Sequence, residues 1–174
     1  ETLESLKENI LNWKVWPDFS ELDLINKSGK SIIFTEIDFG DVFEISGLTI
    51  EPIKTCHTIA SCGYKITKDG RTTIITSDTG PCDEVVRVVK ETKNLKNLVI
   101  ECAFPSRFKK LAHDSMHLTP LLLEEELKKI GRTDLKIFIN HLKPFYEAEI
   151  RSELSAIPLL GSAEVLEDGY KIPY

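Results

Sequence analysis

Residues 71–104 read RTTIITSDTGPCDEVVRVVKETKNLKNLVIECAF, and the hydrophobic period changes partway along them. Up to Asp78 apolar and polar residues alternate as in a strand, in YKITKDGRTTIITSD around Asp69-Gly70. Beyond it, Val85, Val86, Val88 and Val89 behind Pro81 and Asp83 predict a helix, and LKNLVIECAF reads as a buried strand. Downstream the alternation continues. Thr119 caps and Pro120 starts a helix, LLLEEELKKI, closed by Gly131. LKIFIN is the next strand, and FYEAEIRSELSAI a last amphipathic helix. Strand, helix, strand, helix, strand predicts a layered α/β arrangement. Upstream the pattern is antiparallel strand: DVFEISGLTIEPIKTCHTI turns about Gly47, and FSELDLINKSGKSIIFTEI holds two short apolar runs around Lys27-Ser28-Gly29-Lys30. Thr2 is the expected cap of a first helix over Leu3, Leu6, Ile10 and Leu11, stopped by Trp13 to Pro17.

At 174 residues, without repeat or linker, the chain is read as a single domain over 1–174. A formal charge of -6 argues against a surface built to grip phosphate backbones, so a nucleic-acid partner is disfavoured. A hydrophobic share of 41% is too high for a disordered chain, and no apolar run reaches bilayer length, so no membrane partner is expected. With no basic and apolar leader in the chain, the expectation is a cytoplasmic protein whose four cysteines, Cys56, Cys62, Cys82 and Cys102, are reduced and buried. The first residue is Glu, which suggests a start partway through a larger protein.

Three polar residues stand at the ends of predicted strands: His57 after LTIEPIKTC, Asp78 after TTIIT, and His141 after KIFIN. Packing gives a buried strand no reason to end in His or Asp, and open α/β sheets collect ligands at strand ends. Singly, each is a turn or loop residue; together they favour metal binding. His113 and His117 stand four apart, but Thr119-Pro120 starts a new helix and no HExxH is formed. That makes His113 a surface or packing residue and puts His117 in a loop, where an imidazole serves as general acid or base. Lys143, before Pro144, places an ammonium near an anionic substrate or is simply solvated. Ser61 and Gly63 mark either a close backbone approach or a turn. Glu124, Glu125 and Glu126 with Lys128 and Lys129 read as an exposed paired face.

Five phrases in order, HTIASCGY from His57, SDTG around Asp78, ECAF from Glu101, SMHLT around His117 and NHLKP around His141, resemble the metallo-β-lactamase superfamily. Val15-Trp16-Pro17-Asp18, ECAFP and HLKP are most similar to its class II cyclic-nucleotide phosphodiesterases, with ribonuclease Z as a cousin, over about residues 9 to 154. The resemblance implies the C-terminal part of an αββα sandwich. It implies two divalent metal ions, zinc by preference, with His57 on the first metal, Asp78 bridging both and His141 on the second. It further implies that a metal-bridging hydroxide opens cAMP or cGMP to the 5′-monophosphate while His117 aids the leaving oxygen, with Lys143 beside the phosphate. The family's HxHxDH signature occurs nowhere in the 174 residues, so this chain alone is not expected to hydrolyse well. Two alternatives stand beside this reading: ribonuclease Z-like tRNA 3′-end processing, and a non-catalytic module kept as a binding or homodimerisation platform. The 21-residue interval from His57 to Asp78 leaves no room for the tRNA-gripping arm inserted there in many ribonucleases Z.

Overall fold

The protein is described by a computed structural model over residues 1–173, which forms two compact units, Glu1–Ile37 and the described residues from Asp38 onward. In the first unit, helix α1 spans Thr2–Asn9 with Glu1 at the N-cap, one residue before the expected Thr2. Leaving the helix, Trp13 takes a left-handed backbone and its N–H donates to the Trp16 carbonyl at 2.9 Å. Asp18 is buried and accepts from the Ser20 N–H and hydroxyl, while Lys7 lies 3.3 Å away. The two apolar runs expected beyond it form no strands; a lone bridge joins Asp23 to Lys30.

The second unit is a seven-stranded sheet in sequential order: β1 Phe43–Ile45, β2 Leu48–Lys54, β3 Cys62–Lys68, β4 Arg71–Ile75, β5 Leu95–Glu101, β6 Lys136–Asn140 and β7 Glu164–Val165. Strands β1 to β4 pair antiparallel, through tight hairpins between β1 and β2 and between β3 and β4 and a longer loop over 55–61 between β2 and β3, and β4 to β7 pair parallel. Both hairpins turn where expected. Ser46-Gly47 and Asp69-Gly70 have positive φ at both central residues, the geometry whose twist matches that of the flanking strands. The parallel half is connected by helices: α2 Asp83–Glu91, α3 Lys109–Asp114 with α4 Pro120–Ile130, and α5 Glu147–Ala156. Val85, Val86 and Val89 of α2, Leu122, Leu123, Leu127 and Ile130 of α4, and Ile150 and Leu154 of α5 share one core with Ile53, Ile74, Leu98, Ile100 and Ile139 of the sheet. The helices therefore lie over one face. The short α3 and β7 carried no sequence signal strong enough to read. No helix among the described residues is long and apolar enough to cross a membrane.

Caps are satisfied as the sequence foretold for α4. The Thr119 hydroxyl accepts from the Leu122 N–H at 3.3 Å, and Gly131 closes the helix in the left-handed region. The acidic face of α4 is only partly exposed. Lys128 pairs with Glu124, but Glu126 is buried and its carboxylate accepts from the Cys82 N–H at 3.0 Å, capping α2 from the neighbouring helix. The cysteines depart from expectation as well. Cys56 and Cys82 form a disulfide, and only Cys62 and Cys102 remain thiols. Their Cα atoms lie 5.5 Å apart because the end of β2 and the start of α2 meet in space, a neighbourhood that the 26-residue separation conceals.

Gly63 lies inside β3, opposite Ile53, rather than in a turn before the strand. A Cβ there would stand 2.5 Å from the Ile75 carbonyl oxygen and 2.9 Å from Thr76 Cα, so β3 and β4 close only over a hydrogen. Both obstacles are backbone. Gly63→Ala is expected to cost about 1–3 kcal/mol, as overpacking does, read as a lower urea midpoint at unchanged m-value; an unchanged midpoint would disprove the close approach.

Candidate metal centre

Strand direction assembles the site. Two antiparallel steps make β2 run parallel to β4, so β2, β4, β5 and β6 all end on the same edge of the sheet. His57 lies just past β2, Asp78 past β4, Glu101 ends β5 and His141 follows β6. His117 arrives from the loop between α3 and α4, which is pinned to the end of β5 by the Ala103 N–H donating to the Leu118 carbonyl at 3.0 Å.

These side chains converge. His57, Asp78 and His117 each offer a ligand atom within 4.8 Å of the others. His141 Nε2 lies 3.5 Å from Asp78 Oδ1, and its ring stacks on His117 with centroids 5.3 Å apart. Lys143 Nζ is 3.2 Å from His141 Nε2. All five site residues read from the sequence, His57, Asp78, His117, His141 and Lys143, therefore occupy one place. The tightest trio holds His117 where the sequence reading had put His141. His113, by contrast, is exposed on α3 with its side chain toward solvent.

The hydrogen bonds orient the imidazoles. His57 Nδ1 lies 3.0 Å from the Met116 carbonyl oxygen, which only accepts, so Nδ1 carries the proton and Nε2 keeps its lone pair. His117 Nδ1 is 2.6 Å from Glu101 Oε1, which leaves Nε2 as its working nitrogen. Burial pushes the His117 and His141 imidazoles below the usual range, so both favour the neutral form that binds a metal or accepts a proton. For His117 the neighbouring His57 acts in the same direction; for His141, Asp78 opposes it.

Glu101 is the functional residue that sequence reasoning missed. It has no exposed surface, and its carboxylate accepts from the Thr79 N–H at 2.8 Å, the Leu118 N–H at 3.1 Å and His117. Burial pushes its carboxyl up to about 7, against the two backbone N–H groups that pull it down. The available signal was a charged residue ending an otherwise apolar run, in LKNLVIE.

Backbone geometry is unusual around the same residues. Ser77 (φ 55°), Met116 (φ 54°) and His141 (φ 62°) are left-handed without being glycine, and each is in or next to the cluster. Such conformations persist where surrounding structure over-determines them.

No protein-family model matches the sequence, and a comparison with curated proteins returns no match. Solved structures do match. The chain is similar to the metallo-β-lactamase fold protein YhfI from Bacillus subtilis at 19% identity, with a TM-score of 0.63, over 78% of this chain and 54% of that one. It is similar to human tRNase Z, short form, at 18% identity and a TM-score of 0.54, over 76% and 45%. It is also similar to Igni18, a metallo hydrolase from Ignicoccus hospitalis, at 16% identity and a TM-score of 0.53, over 76% and 56%. The fold is therefore that of the metallo-β-lactamases, as the motif resemblance implied, and the chain spans about half the length of these structures.

Glu101 ties three segments to one buried carboxylate, so its replacement tests the architecture of the centre. Glu101→Leu is expected to destabilise the chain by at least about 3 kcal/mol, since three buried donors lose their acceptor at roughly 1–3 kcal/mol each. Glu101→Gln, which keeps one acceptor oxygen, should lose less. Chemical denaturation of the three proteins checks the order, and equal midpoints would show that the donors find water instead.

Proposed function

We propose that this chain carries one side of the active site of a metal-dependent hydrolase that cleaves a phosphodiester, with 3′,5′-cyclic nucleotides opened to 5′-monophosphates as its substrates. The observation that carries the proposal is the meeting of three imidazoles and one carboxylate at a single sheet edge, with a protonated Nδ1 on His57 directing Nε2 toward a ligand. Neutral imidazole nitrogen with carboxylate oxygen is a donor set that fits zinc. His57, Asp78 and His141 would hold divalent metal, two ions being proposed. Bound there, divalent metal supplies Lewis acidity toward a phosphoryl oxygen and toward an attacking water.

The remaining work falls to the protein's own groups. Glu101 accepts from His117 Nδ1, so the free Nε2 would take the proton that the attacking water gives up and pass it to the departing 3′ oxygen. The Lys143 ammonium, beside His141, offsets the negative charge of the phosphate. The net charge of -6 suits a small anion drawn to a local positive site better than a long polyanion. A second reading, processing of tRNA 3′ ends, is favoured by the fold likeness to human tRNase Z.

Zinc titration of the full-length protein, with its turnover of cAMP, cGMP, bis(p-nitrophenyl) phosphate and a pre-tRNA, tests the proposal. Changing His57, Asp78 and His141 together to Ala is expected to abolish zinc binding; unchanged binding would sink the site. His117→Ala should leave zinc affinity intact and lower turnover by about 10²–10⁴-fold, the usual weight of a general acid. A parallel loss of zinc affinity would make His117 a ligand instead. Cleavage of pre-tRNA alone would favour the second reading, and zinc binding without any hydrolysis would favour a binding module.

A further inference from the structure

The Cys56–Cys82 disulfide joins the two segments that carry the centre. Cys56 immediately precedes His57, and Cys82 lies four residues past Asp78. The two sulfurs differ in setting. Cys82 is only 2% exposed and stands at the N-cap of α2, where Glu126 holds its N–H. Cys56 is half-buried and lines an open groove of about 560 Å³ with Lys54, Pro81, Asp83, Glu84 and Lys129. One end of the link is thus anchored in the helical layer, and the other is the less buried residue, next to the exposed residues 58–60.

We propose that Cys56–Cys82 is a thiol–disulfide exchange site, open to a small dithiol or a dithiol-bearing protein, whose state sets how firmly the His57 segment is held against the Asp78 segment. A thiolate of the reductant attacks Cys56 Sγ, the sulfur of the less buried residue; a mixed disulfide forms, the Cys56–Cys82 bond breaks and Cys82 leaves as a thiolate. The second thiol of the reductant then displaces Cys56 and closes the reductant's own disulfide. Two electrons pass from the dithiol to the protein, and two protons complete the cysteine thiols.

Once the bond is broken, the segments are still joined by hydrogen bonds, among them a long one of 3.5 Å from the Thr79 hydroxyl to the Cys56 carbonyl and two shorter ones. The Gly80 N–H donates to the Cys56 carbonyl at 2.8 Å, and the Cys56 N–H to the Thr79 hydroxyl at 3.2 Å. Both then depend on a stretch followed directly by an exposed loop, so they open more often. The effect on metal affinity rests on the ligand roles proposed above for His57 and Asp78; the clamp itself does not.

The experiment uses the full chain, air-oxidised or treated with dithiothreitol that is then removed under argon. A thiol probe in denaturant should count two thiols before reduction and four after; four before would overturn the proposal. Amide exchange at Cys56 and Gly80, followed by NMR, should quicken at least tenfold on reduction while Val99 and Ile100 in β5 stay protected. Unchanged exchange at Cys56 and Gly80 would overturn it. Cys82→Ser, with Cys56→Ser as the second variant, should show the fast exchange without reductant and no response to it. Zinc should bind the reduced chain at least tenfold more weakly, and equal affinity in both states would break the link to the centre. Faster exchange with no zinc bound in either state would keep the clamp and reject the metal reading.

Discussion

The carboxylate of Glu101, buried at the last position of β5, receives N–H groups from Thr79 and Leu118 and the Nδ1 of His117. Through Thr79 it fixes the segment that follows β4, and through Leu118 the loop between α3 and α4. A buried carboxylate is costly unless its oxygens are occupied, and these are. The cost of burial and the number of donors together explain why the loops meet where they do: opening any of them would leave a charge or a donor without a partner in the interior. The same carboxylate orients His117, so the group that organises the edge of the sheet also prepares the imidazole that faces the cluster.

Strain collects around that anchor. Ser77, Met116 and His141 adopt left-handed backbones, which cost a non-glycine residue of order 1–3 kcal/mol each. Each has a local purpose. Ser77 turns the chain so that Asp78 follows directly on β4, Met116 turns its carbonyl oxygen to His57 Nδ1, and His141 bends back beside Asp78. The adjoining strands β4, β5 and β6 are held by the buried core, which lets the connecting segments carry conformations that they would not choose alone.

Much of the fold was legible in the chain because its signals are local. The two hairpin turns, the valine stripe of α2 and the Thr119, Pro120 and Gly131 punctuation of α4 act within a few residues. The strands expected in residues 19–37 did not form a ladder: the two runs meet each other through the Asp23–Lys30 bridge and scattered backbone bonds such as Ser31 N–H to the Leu22 carbonyl and Ile32 N–H to the Phe19 carbonyl. The outward reading of Glu126 failed because i,i+3 and i,i+4 spacing shows which residues share a helix face and does not show which groups of a neighbouring helix require a cap.

The sequence by itself determined that His57, Asp78 and His141 each follow a strand, that His117 lies in a loop before a capped helix, and that the motif order resembles the metallo-β-lactamase superfamily. Tertiary structure alone decided that these ends share an edge, that Glu101 belongs with His117, and that Cys56 meets Cys82. The physical reason is the range of the forces involved. Propensity, capping and hydrophobic period act over a turn or a strand. A buried hydrogen bond or a disulfide depends on distances between segments far apart in the chain, and those distances exist only once the parallel sheet has closed.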